Sequence, residues 1–155
     1  MQLPEIFLGL GEDSFQQLLR AISMGKLRTY QLFDRLKTRA HLGKLNSENL
    51  RKAAPRLWSR LNEADLDLAT DLAQSILVSH LDLIVDVLNF LGVPNEDGFF
   101  AKDVDASIYL TEGWQQRAFD HFQDKYPPAL LLFYINHLDQ EVNKDATFFA
   151  PAPPA

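Results

Sequence analysis

A chain of 155 residues has the length of one ordinary domain, and its 46% apolar and 23% charged residues sit near globular averages, which excludes wholesale disorder. Cysteine is absent, removing disulfides, thiolate nucleophiles and thiolate-bound zinc together. The net charge of −6 conceals a division: residues 1–60 hold 11 basic and 5 acidic side chains, a net of +6, whereas residues 61–155 hold 4 and 16, a net of −12.

The first ten residues are apolar, but they lack a basic region, contain Glu5 and end in no small-residue cleavage site. A signal peptide is therefore not expected, and a cytoplasmic location is the default. Ser14 and Gln17 have the spacing of a capping box, with Phe15, Leu18, Leu19 and Ile22 on one face of the helix that follows and Gly25 as its stop. The next helix is expected over residues 29–41, with Leu32, Phe33, Leu36 and Ala40 inward. Gly25-Lys26-Leu27-Arg28-Thr29 and Gly43-Lys44-Leu45-Asn46-Ser47 resemble one another at a spacing of 18 residues, too short for a helical repeat, so they read as two helix boundaries. A third helix begins near Ser47. Pro55 interrupts it, because proline lacks the N–H and clashes with the preceding turn, so a kink or two short helices should meet at Ala54–Pro55.

The strongest helical pattern covers residues 65–91, ended by Gly92 and Pro94. Its polar arc contains Asp67, Asp71, Asp82 and Asp86, and most of the rest is apolar, as befits a central helix packed on several sides. Those carboxylates keep this stretch from reading as a membrane span, and no other apolar run approaches the roughly 20 residues required. Asn95-Glu96-Asp97-Gly98 reads as a turn, after which residues 99–110 fit either a short helix or an extended segment. Thr111 can cap a helix carrying Trp114, Ala118, Phe119, Phe122 and Tyr126. Pro127-Pro128 then closes it and opens a last helix that is apolar on every side. Such a helix must be buried in the domain or covered by a second subunit.

The fold expected is all-α: an irregular bundle of six or seven helices around the long central one. It comprises a single domain over 1–143 and a flexible Pro/Ala-rich tail over 144–155, with the docking of Phe148 and Phe149 left open.

Three clusters are candidates for function. His80 falls on the apolar arc of the long helix, where a buried imidazole needs a partner and could act as a ligand or base. The acidic face of Asp67, Asp71, Asp82 and Asp86 has the i, i+4 spacing of carboxylate metal sites, but no Glu-x-x-His or His-x-x-x-His accompanies it. A calcium loop aligned on Gly98 fails, since Val93 and Val104 occupy positions that require acids. Arg51, Lys52, Arg56 and Arg60 form a basic face, with Lys52, Arg56 and Arg60 one turn apart. Phosphate contact is one use of such a face. The acidic pI, the break at Pro55 and the lack of a base-reading Asn/Gln cluster favour the other, packing against the acidic helices within the chain or across a dimer.

No catalytic motif occurs, and no cofactor or metal is indicated. The leading expectation is a non-enzymatic helical protein–protein interaction module whose partner is another protein or a second copy of itself, in a homodimer, with no membrane involved. The alternatives are a nucleic-acid-binding regulator using the basic half, and a metal- or small-molecule-binding bundle centred on His80.

Overall fold

The computed structural model of the protein describes residues 1–152 and is all-α, with ten α-helices and one two-stranded ribbon among those residues. Its contacts gather into two compact units, Gln2–Ser79 and His80–Ala155, the second joined by Met1.

The first unit holds α1 (Leu3–Leu10), α2 (Glu12–Arg20), α3 (Met24–Thr29), α4 (Phe33–Ala40), α5 (Ser47–Lys52), α6 (Ala54–Asn62) and α7 (Leu66–Ser79). Gly11 alone separates α1 from α2, ending one and starting the other at φ 93°, a conformation that glycine adopts without steric cost. The helix expected from a cap at Ser14 therefore begins earlier, at Glu12, and ends at Arg20; Gly25 lies within α3 instead of stopping α2. The helix expected over 29–41 starts later: Thr29 is the last residue of α3, Gln31 at φ 59° lies in the turn that follows, and α4 runs from Phe33 with Leu36 and Ala40 buried. At Pro55 two short helices meet as expected, α5 ending at Lys52 and α6 starting at Ala54 with the proline in its first turn. Phe7 and Phe15 meet edge to face at 5.7 Å, and Phe15 also touches Trp58 at 5.4 Å. These rings join α1, α2 and α6, while Leu68, Ala69, Leu72, Ala73 and Ile76 of α7 are buried.

The long helix expected over 65–91 is two helices, α7 and then α8 (Leu81–Leu91), broken at His80 with φ −136° and ψ 46°. Neither glycine nor proline causes the break. Ser75 and Ser79 each turn a hydroxyl back onto the carbonyl four residues earlier, at 2.7 Å in both cases, a habit that bends helices. Ser79 also accepts the backbone N–H of Ser23 at 2.9 Å, which fixes the last turn of α7.

The second unit contains α8, the strands β1 (Asn95–Glu96) and β2 (Phe99–Phe100), a 3-10 turn at Ala106–Ile108, α9 (Trp114–Phe122) and α10 (Pro128–Val142). The turn read at 95–98 is a two-residue hairpin in which Asp97 and Gly98 both have positive φ, the geometry that suits strand twist. A Cβ on Gly98 would come within 3.1 Å of the Ile84 side chain, so glycine also permits the hairpin to lie on α8. Residues 99–110 thus contain both an extended piece and a short helical turn. In α10, Ala129, Leu130, Leu131, Phe133, Tyr134, Ile135 and Leu138 are all buried within the chain itself. Of the segment expected to be a flexible tail, residues 144–152 instead return along this unit with Ala146 buried; residues 153–155 lie outside the described residues. Among the described residues no single helix is long and apolar enough to cross a membrane.

Candidate functional site

The acids of α7 are met by arginines of α4 and not by the expected basic face. Asp71 on α7 is 2% exposed and receives two arginines from α4, Arg35 and, through Nε at 3.2 Å, Arg39. Arg39 also lies 3.6 Å from the exposed Asp67. Two acids one turn apart on α7 therefore face two arginines one turn apart on α4. A buried carboxylate needs this much compensation, since ionised groups leave water only when paired and hydrogen-bonded.

The basic face does not form one stripe. Arg51 borders a cleft with Arg20, Ser47 and Glu48, whereas Lys52 and Arg56 border another with His41, Lys44 and Asn49. Lys52 pairs with Glu48 at 3.1 Å. Arg56 donates to the carbonyl of Ala40 at 3.0 Å, and Arg60 donates to that of Arg39. Both carbonyls belong to the last turn of α4, where acceptors lack helical partners and the helix dipole favours cations. Arg60 additionally binds Asp65 through Nε at 3.0 Å. Asp65 accepts the N–H of Leu68 and so caps α7; that bond, helped by Arg60 against partial burial, holds its carboxyl below the usual range. The double variant Arg56→Ala/Arg60→Ala should lower unfolding stability by about 1–3 kcal/mol, measured by urea denaturation, because it frees two helix-terminal carbonyls. A loss within about 0.5 kcal/mol would show the arginines to be ordinary surface residues.

In the second unit Asp82 is exposed, and Asp86 accepts Lys125 at 2.7 Å and the Tyr126 hydroxyl. Those hydrogen bonds lower the Asp86 pKa; burial, and then the carboxylate itself, raise that of Tyr126. Of the four aspartates, Asp67 and Asp71 belong to the first unit and Asp82 and Asp86 to the second. His80 is half-buried at the break after α7, outside any helix and away from the buried arc expected for it. Among the described residues no three His, Asp or Glu side chains are grouped to hold a metal ion.

The most open chemistry lies in the second unit, at residues that were not among the candidates for function. A cleft of about 580 Å³ has one wall from Ser107 to Gln115 and another from Asp139, Val142 and Asn143 of α10. Asp139 is buried, and its carboxyl accepts Gln115 Nε2 at 3.1 Å; burial raises its pKa against that hydrogen bond. The 3-10 turn before the cleft ends on Ile108, 67% exposed, and the preceding hairpin bears Phe99, 60% exposed. Between residues 95 and 112 stand Glu96, Asp97, Asp103, Asp105 and Glu112, against the single cation Lys102. The signal available in the sequence was this density of acids around unpatterned apolar residues. Compared with protein families, with curated proteins and with solved structures, the chain matches none.

Proposed function

We propose that the chain is a non-enzymatic protein–protein interaction module that receives a basic, partly apolar surface at the acidic end of its second unit. One observation carries this reading: two large apolar side chains, Phe99 and Ile108, stand in solvent on a segment with five carboxylates and one lysine. Exposed apolar anchors ringed by like charges suit an interface whose partner supplies cations for approach and apolar groups for retention. The second unit as a whole carries 12 acidic and 4 basic residues, so its field attracts such a partner from a distance. That partner is a basic protein surface, in keeping with the cytoplasmic location expected from the sequence.

The chain's own basic half makes a second copy one source of this surface, as in the homodimer expected from the sequence. The last helix, however, gives a dimer little to cover, since its apolar side chains are already buried. Nucleic acid is less favoured, because Arg56 and Arg60 are engaged by carbonyls of α4 and Arg51 faces a different cleft from Lys52.

Size exclusion with light scattering at low and high salt separates self-association from a monomer. Fluorescence anisotropy with a Lys/Leu amphipathic peptide then probes the acidic surface. Phe99→Ser/Ile108→Ser should weaken whichever association is seen by about tenfold or more, as removal of two apolar anchors does. Stability should change by less than about 0.5 kcal/mol, because both side chains are already exposed. A wild-type monomer with no affinity for the peptide would overturn the reading.

A further inference from the structure

Asn136 is the one amide in the apolar run that opens α10, and it is completely buried. Its Nδ2 donates to the carbonyl of Leu132 at 3.0 Å and to that of Phe149 at 3.1 Å, while its Oδ1 accepts the Phe149 N–H at 2.7 Å. One side chain thus engages both main-chain groups of a single residue, as a neighbouring strand would. A second hold follows three residues later, where Gln116 Oε1 on α9 accepts the N–H of Ala152 at 2.9 Å. Between them lie Ala150 and Pro151, the latter without an N–H to satisfy. The chain reaches this path by reversing at Asn143, whose carbonyl accepts Ala146 N–H and whose Oδ1 accepts Asp145 N–H.

We propose that the path along α9 and α10 is a peptide-recognition groove for an extended segment with a proline two places after the residue that Asn136 holds, supplied by another polypeptide, and that residues 144–152 are its resident competitor. Three features support this. Beyond the bond to Leu132, Asn136 offers a buried acceptor and a second N–H that find their partner outside α10, and polar groups so placed demand one. The resident segment has no helix or strand of its own, so leaving the groove breaks no regular structure. Its two holds read backbone, and the spacing between them admits proline; that defines the chemistry of an incoming chain. A tethered segment acts at an effective concentration near the millimolar range, so an outside ligand binds weakly until the tail is displaced. The groove rests on Asn136 and Gln116 and the acidic surface on Phe99 and Ile108, so either assignment can fail without the other.

The test uses the full chain and a fluorescent peptide of residues 144–152, Lys-Asp-Ala-Thr-Phe-Phe-Ala-Pro-Ala. Phe149→Pro in the chain removes the N–H that Asn136 receives and frees the groove. Anisotropy should show this variant binding the peptide about tenfold or more tightly than wild type does. The same peptide N-methylated at its second phenylalanine should lose that gain, as should the wild-type peptide against Phe149→Pro combined with Asn136→Leu. Where Asn136→Leu fails to fold, Gln116→Ala on the surface of α9 takes its place and should weaken binding several-fold. Equal binding to wild type and to a folded Phe149→Pro chain would overturn the proposal. So would indifference to N-methylation.

Discussion

Replacing Arg35 and Arg39 together by alanine should destabilise the protein by about 3–5 kcal/mol, the cost of leaving a buried charge without its partners. Asp71, 2% exposed, would lose both guanidinium groups that compensate its buried carboxyl. The reverse substitution, Asp71→Ala, should cost less, about 1–3 kcal/mol. Arg35 and Arg39 are about half exposed and can turn their heads to water once the carboxylate is gone. The two costs should therefore differ, and the triple variant should recover part of the loss seen in the double. Asp67, 3.6 Å from Arg39 and largely exposed, adds little, because ion pairs in solvent are screened. Urea denaturation at neutral pH measures all four chains. Equal losses for the arginine pair and for the aspartate would show that Asp71 is hydrated in spite of its burial.

Acidification should unfold the wild-type chain more readily than a His137→Leu variant, with most of the difference developing between pH 6.5 and 4. Burial lowers the His137 pKa to about 4 from the ordinary 6.5, and its Nδ1 is buried without a hydrogen-bond partner. Above pH 6.5 the ring is neutral in both the folded and the unfolded chain and contributes no pH dependence. Between 6.5 and 4 the unfolded chain binds a proton that the folded chain refuses, so stability falls as pH falls. Below about 4 the folded state also takes the proton and the loss levels off. The full span corresponds to about 3 kcal/mol at 1.36 kcal/mol per pH unit. Asp139 and Glu141, whose pKa values burial raises, act in the opposite direction, since their folded forms hold protons longer than the unfolded chain does. Glu141 Oε2 lies 3.9 Å from the His137 Nδ1, so His137→Leu reports the imidazole together with that contact, and the same comparison in a Glu141→Gln background separates the two. Parallel stability–pH curves for the two proteins would mean that water reaches Nδ1.

Much of this architecture was legible where local chemistry decides it. Pro55 divides α5 from α6 and Pro128 opens α10, because a missing N–H acts on its own helix whatever surrounds it. The buried face of α4 follows from Leu36 and Ala40 at helical spacing. The break at His80 was hidden, because the apolar period runs through it without glycine or proline. Two serines bonded back onto their own helix bend it there, and a tertiary contact fixes the last turn, since Ser79 accepts the backbone N–H of Ser23, 56 residues earlier. Charge division predicted that acidic and basic helices would pair, but not which residues. Arg35, outside the expected basic face, bonds the most buried acid, while Arg56 and Arg60, inside it, serve backbone carbonyls. The peptide groove left one trace in the sequence, a lone asparagine amid Leu130, Leu131, Leu132, Phe133, Tyr134 and Ile135; its partner Phe149 lies 13 residues further on, in a segment whose composition argues for disorder.

The single-residue joint at Gly11 bears on how the chain can change in length. Each residue of an α-helix turns the next by about 100°, so inserting one residue in the first turn of α2, directly after the joint, would rotate the later side chains of that helix by that angle. Phe15 would swing away from Phe7, its ring neighbour at 5.7 Å, and the face of α2 that carries Leu18 and Leu19 would turn with it. Insertions and deletions should therefore be refused at residues 10–12, whereas the irregular stretch between Ala40 and Ser47 has slack to take them up.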